Sequence, residues 1–101
     1  MTVTYGDIVF DVIRYDPEHD NLILHSGPER PGDDWDQSDE GDALRFKDGV
    51  LIGVDMFDFT TRLERGDAMT ITLEDGTVLR SPDVHLALRA TAASRQISTN
   101  C

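Results

Sequence analysis

Short apolar runs separated by tight-turn signals constrain this fold most. The longest apolar runs have three or four residues, as at residues 22–24 and 50–52. Successive runs are joined by a turn containing Pro and Asn at residues 16–21 and by Asp-Gly dipeptides at residues 48–49 and 75–76. Gly adopts the positive φ that two-residue hairpin turns require, and Asp and Asn side chains bond to their own backbone in turns. The sequence therefore predicts an antiparallel sheet made of hairpins.

Strand patterns continue between these turns. Val50, Ile52, Val54 and Met56 alternate with other residues, so we expect them to line one buried face. Residues 58–65 are expected to extend this strand. The expected strands are residues 7–15, 22–25, 43–47, 50–57, 69–74 and 77–80. In the strand at residues 69–74, Met69, Ile71 and Leu73 alternate with polar residues.

One helix is expected near the C-terminus. Ser81 is a preferred N-cap, Pro82 suits the first helical position, and Asp83 favours the positive end of the helix dipole. The helix should run to about Ser94, with residues 95–101 a disordered tail. Its apolar stripe would be Val84, Ala87, Leu88, Thr91 and Ala92. The fold class is α+β: residues 1–94 form one domain, an antiparallel meander of about six short strands packed by one C-terminal helix.

An acidic insert, residues 26–42, separates the first two hairpins. Within it, residues 29–42 carry seven carboxylates against one Arg, which is −6 of the chain's −11. The insert contains the only Trp, two Pro and no apolar periodicity, so it is expected to be a loop that the fold does not need. The residues predicted to contact a partner are Asp33, Asp34, Trp35, Asp36, Asp39, Glu40 and Asp42. For Trp35 two interpretations stand: it caps the core, or it anchors a partner.

Two stretches resemble a family of small bacterial proteins of unknown function. Residues 15–24, Tyr-Asp-Pro-Glu-His-Asp-Asn-Leu-Ile-Leu, are similar to the family's opening hairpin. Residues 48–57, Asp-Gly-Val-Leu-Ile-Gly-Val-Asp-Met-Phe, resemble its second hairpin. The resemblance implies a small β-rich domain and supplies no catalytic residues. The acidic insert and everything from Met69 onward depart from the family's pattern.

The net charge narrows the range of partners. A charge of −11 repels phosphate backbones and anionic lipid, so direct binding to nucleic acid or membranes is disfavoured, and a basic protein surface is favoured. No apolar stretch approaches the roughly 20 residues of a membrane span. The first residues lack the pattern of a signal peptide, so we expect a cytoplasmic protein. The single Cys, Cys101, excludes an internal disulfide.

Catalytic and metal-binding signatures are weak. Asp36, Ser38 and Glu40 imitate the start of an EF-hand loop, but its twelfth position is Lys47 instead of the required Glu. Nucleophile elbows and nucleotide-binding Gly motifs are absent. His19 and His25 could approach each other across the first hairpin, beside Asp16, Glu18 or Asp20. No cofactor is expected.

These observations favour a non-enzymatic interaction module, such as an inhibitor, immunity protein or antitoxin, that uses the acidic insert and Trp35 to bind a basic partner. One alternative is a small metal-dependent or acid–base enzyme that uses His19, His25 and nearby carboxylates. Another is an accessory domain that forms homo-oligomers through a strand edge.

Overall fold

The computed structural model describes residues 2–82 and residue 84. This part of the chain is mostly antiparallel sheet with one short helix. Its elements in chain order are β1 (Val3–Tyr5), β2 (Ile8–Phe10), β3 (Val12–Asp16), β4 (Asn21–His25), β5 (Asp34–Gln37), β6 (Ala43–Lys47), β7 (Val50–Met56), α1 (Phe59–Glu64), β8 (Ile71–Thr72) and β9 (Val78–Leu79).

The five-stranded central sheet has the order β3-β4-β7-β6-β5, with every neighbour antiparallel. Its two predicted hairpins are confirmed: β3 pairs with β4 across the residue 16–21 turn, and β6 pairs with β7 across Asp48 and Gly49. Both turn residues have positive φ, 52° and 80°, as expected for a tight hairpin turn. β1 and β2 form a separate hairpin, as do β8 and β9.

The core lies against one face of this sheet. The central pairs Leu22–Met56 and Leu24–Val54 are almost completely buried. Side chains from outside the central sheet cover them and complete one hydrophobic cluster, among them Val3, Tyr5, Phe10, Phe59, Met69, Ile71 and Val84. The Tyr5 hydroxyl donates a hydrogen bond to the Met69 carbonyl at 2.6 Å. This bond connects the β1–β2 hairpin to the chain that leads into β8.

The expected alternation along β7 is only partly correct. Ile52, Val54 and Met56 are buried as expected, but Val50 is 58% exposed. The register shifts between Arg45 and Phe46, which leaves Leu51, rather than Ile52, paired with Phe46. A β-bulge adds one residue to a strand and so reverses the alternation beyond it. Leu51 therefore joins the core cluster in place of Val50.

The first expected strand is two strands. The run of residues 7–15 divides at Asp11: β2 pairs with β1, and β3 pairs with β4. The Asp11 carboxylate accepts a hydrogen bond from the Gly27 N–H at 2.7 Å. That bond contributes to lowering the pKa of Asp11. Strand β1 was not anticipated, because a three-residue run carries too little pattern to be read from sequence.

Most of residues 58–65 forms the helix α1, Phe59–Glu64, so the prediction of this segment as strand is wrong. Asp58 has φ 54° and makes no side-chain cap at the start of α1. The cap comes instead from Asp20, whose carbonyl accepts from the Phe59 N–H and whose carboxylate accepts from the Thr60 N–H and hydroxyl. The unpaired N–H groups of a helix start need such acceptors. Here they lie 40 residues away in sequence, in the first hairpin turn.

The last predicted elements are only partly described. The expected strands at residues 69–74 and 77–80 contract to β8 and β9, which have two residues each. Val84, predicted to lie on the helix's apolar stripe, is buried in the core. The rest of the C-terminal helix prediction, residues 85–94, and the tail, residues 95–101, lie outside the described residues. Within residues 2–82 and 84, no helix has the length and apolarity to cross a membrane.

Candidate partner-binding groove

The acidic insert is not a loop outside the fold, as its sequence suggested. Its residues Asp34–Gln37 form β5, which pairs with β6 in the register Asp34–Phe46, Trp35–Arg45, Asp36–Leu44 and Gln37–Ala43. Acidic residues have low intrinsic strand propensity, and the segment has no apolar alternation. The strand is stabilised by its backbone pairing with β6 and not by the strand propensity of its side chains. Residues 34–37 of the insert are therefore an edge strand of the central sheet.

Arg45 positions the chain leading into β5. A Cβ on Gly32 would lie 2.5 Å from Arg45 Cγ and 2.7 Å from the Phe46 carbonyl oxygen, so only Gly fits there. Arg45 Nη1 donates to the Arg30 carbonyl at 3.4 Å. Its guanidinium also lies 5.1 Å from the centroid of the Trp35 ring, within cation–π range. Arg45 thus orients both the backbone and the indole.

Trp35 does not cap the core. It is 59% exposed and is absent from the buried cluster. Exposing the apolar surface of an indole to water is unfavourable, so large exposed aromatic side chains are uncommon outside contact sites. Of the two interpretations of this residue, core capping is wrong, and a contact role stays a prediction.

Beside Trp35 lies an open groove of about 820 Å³. One wall comes from β5 and the chain before it, and the other from the turn between β8 and β9. The described residues lining the groove are Asp33, Asp34, Trp35, Asp36, Phe46, Gly49, Leu73, Glu74 and Asp75. They provide five carboxylates and no Lys or Arg. We call this surface the acidic groove.

Glu74 and Asp75 were not predicted from the sequence as site residues. Glu74 was predicted at the end of a strand and Asp75 in the turn after it, 32 or more residues beyond the acidic insert. Their acidic character was the one available signal. Only the folding of β8 and β9 beside β5 brings them to the same groove.

Backbone N–H groups hold four of the five groove carboxylates in place. Asp33 accepts from the Asp48 N–H at 3.1 Å, and Asp34 accepts from the Trp35 N–H at 2.9 Å. The other two bonds run from the Gln37 N–H to Asp36 at 2.8 Å and from the Thr77 N–H to Asp75 at 2.9 Å. A carboxylate has two oxygens and about four lone-pair sites, so each retains acceptor capacity for a cation.

One groove carboxylate, Asp75, is stabilised in its ionised form. Hydrogen bonds from the side chain and backbone of Thr77 lower the pKa of Asp75 below its ordinary value. Hydrogen bonds to the ionised form of a carboxyl favour that form. Orientation by the backbone also reduces the ordering cost when a cation binds, because the side chains are already restricted.

Three predicted partner contacts lie beyond β5 and differ in availability. Asp39 is exposed, and its backbone N–H donates to the Thr72 carbonyl at 3.1 Å. Glu40 accepts from the Thr72 N–H at 2.8 Å and from the Thr72 hydroxyl at 2.6 Å. Asp42 is 1% exposed and accepts from Arg62 Nη1 at 2.6 Å. The Asp42 carboxylate is therefore buried inside the protein, whereas Glu40 is exposed and its carboxylate is bonded to Thr72.

Burial and hydrogen bonding shift the pKa values of Glu40 and Asp42 in opposite directions. For Glu40, burial acts to raise the pKa, but hydrogen bonds from Thr72 outweigh it and the pKa is lowered. Burial raises the pKa of Asp42, and the attraction of Arg62 offsets only part of this effect. For Arg62, burial favours the neutral form, but Asp42 and Asp67 outweigh it and raise the pKa. Arg62 therefore stays charged, and the carboxyl of Asp42 bears the cost of burial.

The two histidines proposed for catalysis or metal binding stand at opposite ends of the first hairpin. His19 lies in the turn, whereas His25 pairs with Val12 four residues further along β4, about 13 Å from the turn at about 3.3 Å per residue. His25 Nδ1 lies 2.8 Å from the Gly27 carbonyl oxygen. The predicted approach of His19 and His25 is therefore wrong.

A smaller cluster does form in that turn. Asp16, Glu18 and His19 each offer one ligand atom, and these atoms lie within 4.8 Å of one another. The three are joined by internal hydrogen bonds: Asp16 accepts from the Glu18 N–H at 3.0 Å and lies 2.7 Å from His19 Nδ1. The bond with His19 lowers the pKa of Asp16. This turn chemistry accounts for the cluster without a metal.

Comparison with protein-family models, with curated proteins and with solved structures finds no match for this chain. The resemblance of residues 15–24 and 48–57 to a family of small bacterial proteins stays a prediction. The functional site must therefore be inferred from the chain's own residues, and the acidic groove beside Trp35 is its strongest candidate.

Proposed function

We propose that this protein is a non-enzymatic interaction module that binds a basic surface of another protein through the acidic groove and Trp35. The observation that carries the proposal is the exposed Trp35 beside five carboxylates, with no Lys or Arg among the described residues that line the groove. A partner with Lys and Arg side chains would supply the missing charge, and Trp35 would supply apolar contact area.

The two parts of the surface have different roles. Clustered carboxylates raise the rate of encounter with a basic partner and disfavour acidic ones, an effect that falls with ionic strength. Trp is among the residues that most often dominate binding energy at an interface, where truncation costs about 2 kcal/mol or more. Charge thus selects the partner, and the indole holds it.

An inhibitor, immunity-protein or antitoxin role fits these properties. Proteins that handle nucleic acid carry basic surfaces, and an acidic protein of this size can cover such a surface in place of phosphate. A cytoplasmic location belongs to the same proposal and is supported by the single Cys, which suits a reducing compartment.

Affinity capture from the native host, with elution by salt, tests the proposal. The captured partner should be basic. The Kd of its complex with this protein should rise about 30-fold on Trp35→Ala, which corresponds to about 2 kcal/mol. Trp35→Phe should retain most of the affinity. Replacing Asp33, Asp34 and Asp36 with Asn removes charge but keeps an acceptor oxygen for each backbone bond, and it should also weaken binding.

A matched control separates the groove from overall charge. Replacing the exposed Asp7 with Asn and the exposed Glu18 and Glu64 with Gln removes the same three charges outside the groove. This control should bind like the wild type. If it weakens binding as much as the groove variant does, or if Trp35→Ala binds normally, the acidic groove is not the contact surface.

A further inference from the structure

The free edge of β5 is blocked against strand pairing by its own side chains. Among residues 2–82 and 84, β5 is the last strand of the central sheet, and an edge strand ordinarily offers unpaired N–H and C=O groups to another strand. N–H direction alternates along a strand, so Trp35 and Gln37 present their N–H groups on the same side. Both groups donate instead to a carboxylate, Trp35 to Asp34 at 2.9 Å and Gln37 to Asp36 at 2.8 Å.

These two aspartates serve the edge and the groove at once. Asp34 and Asp36 both line the acidic groove, while one oxygen of each is bonded to the backbone of the edge. A partner strand could pair with this edge only by displacing both carboxylates from their N–H donors. It would also have to meet a row of fixed negative charge, a device that discourages edge-to-edge association.

The groove itself suits side chains of alternating character. Phe46 and Leu73 give it apolar area, and carboxylates stand on both walls. Its volume of about 820 Å³ falls in the range of clefts that enclose a small ligand, about 300–1,000 Å³, so it accommodates a few side chains of a short segment. Basic side chains on either side of an apolar one would match this arrangement.

We propose that the acidic groove binds a short basic segment of a partner protein, with Arg side chains flanking an apolar residue, by side-chain contacts and not by strand addition to β5. The inference rests on the proposed function and narrows it. Arg suits the site because its planar guanidinium binds carboxylates in a bidentate manner and stacks on aromatic rings. Trp35 already receives one such contact, from Arg45 at 5.1 Å.

Synthetic peptides test both the mode and the chemistry. The probe is acetyl-Arg-Leu-Arg-Leu-Arg-amide, titrated by calorimetry and by the emission of Trp35, the only Trp in the chain. Two further peptides carry backbone N-methyl groups on the odd or on the even residues, which removes the N–H donors of one edge at a time. Side-chain binding predicts a Kd within about threefold of the parent for both, because no peptide N–H is needed.

Variants assign the binding to the groove. Glu74→Gln combined with Asp75→Asn should weaken the peptide, although neither residue belongs to β5. The Lys version of the peptide should bind about two- to fivefold more weakly than the Arg version, since a guanidinium stacks better on Trp35. The control lacking the charges of Asp7, Glu18 and Glu64 should bind as the wild type does.

The possible failures are distinguishable. Binding of the parent peptide that is lost with one N-methylated series shows strand addition and overturns this inference, while the proposed function survives. Binding unchanged in the Glu74 and Asp75 variant also overturns it. If spermine displaces the peptide at the same concentration of positive charge, and Trp35→Ala does not change peptide binding, the attraction is unspecific and the inference fails. If the peptide does not bind and affinity capture yields no basic partner, the proposed function fails as well.

Discussion

The buried ion pair between Asp42, just before β6, and Arg62, in α1, should contribute strongly to the stability of the protein. Removing one member leaves the other charge buried without its partner. The chain offers conservative changes for both members: Asp42→Asn removes charge at nearly constant size, and Arg62→Met removes charge while retaining an apolar stem. A double-mutant cycle on these two residues measures how strongly they are coupled.

The structure sets the expected magnitude. The two side chains are 1% and 6% exposed, and their bond is 2.6 Å long. Breaking a buried pair typically costs about 3–5 kcal/mol, and this should apply to Arg62→Met. Asp42→Asn should cost less, because Arg62 keeps Asp67, 3.4 Å from its Nε. A domain of this length has about 5–15 kcal/mol of stability in total. Arg62→Met should therefore lie close to the limit of folding.

The pH dependence supplies a second readout. Because burial raises the pKa of Asp42, the folded state binds its proton more tightly than the unfolded chain does. The associated stability is present at low pH and is lost as pH rises through the folded pKa. Without Arg62 the carboxylate is disfavoured further, so the cost of Arg62→Met should shrink as the pH is lowered and Asp42 becomes neutral.

Urea unfolding followed by far-UV circular dichroism at several pH values measures these costs. The double variant should be more stable than the sum of the single losses predicts, by about 2 kcal/mol. Arg62→Lys, which keeps a charge, is the control if Arg62→Met does not fold. Additive losses, or a cost below about 1 kcal/mol for Arg62→Met, would refute the view that this pair is a strongly coupled buried contact.

Two further perturbations test neighbouring features. Glu40→Gln should destabilise the protein at neutral pH, and its deficit should shrink below pH 4.5, the ordinary pKa of Glu, because a carboxyl with a lowered pKa loses its stabilising effect as it protonates; urea unfolding across pH 3–7 checks this. Gly32→Ala should cost about 1–3 kcal/mol by clashing with Arg45 and the Phe46 backbone, although Gly32 does not adopt a positive φ. Gly49→Ala, which has open space but φ 80°, is the comparison, and a Gly32→Ala variant as stable as wild type would disprove the clash.

Much of the central sheet was accessible from sequence. The hairpin turns at residues 16–21 and 48–49 depend on local chemistry: Pro, Asn and Asp-Gly set φ over a few residues wherever the chain lies. The strands beside them, β4, β6 and β7, begin within one residue of their expected starts and end within one residue of their expected ends. Local signals of this kind need no knowledge of what packs against them.

Only one of the two walls of the acidic groove could be predicted from the sequence. Sequence placed Asp33, Asp34, Trp35 and Asp36 in a candidate contact surface, because charge density and a lone Trp are visible in the chain. It also included Asp42, since sequence alone does not distinguish a solvated carboxylate from one buried against Arg62. The other wall of the groove depends on where β8 and β9 pack, which involves contacts distant in sequence.

The sequence by itself determined an antiparallel β-rich domain, its central hairpins and its acidic, Trp-bearing segment, because turn geometry and charge are properties of neighbouring residues. Tertiary structure alone decided that this segment is an edge strand, that α1 is capped by Asp20, and that β7 carries a bulge. It also decided which carboxylates face outward. The reason is physical: backbone pairing, helix capping and burial depend on partners far along the chain, and the sequence near each residue does not specify them.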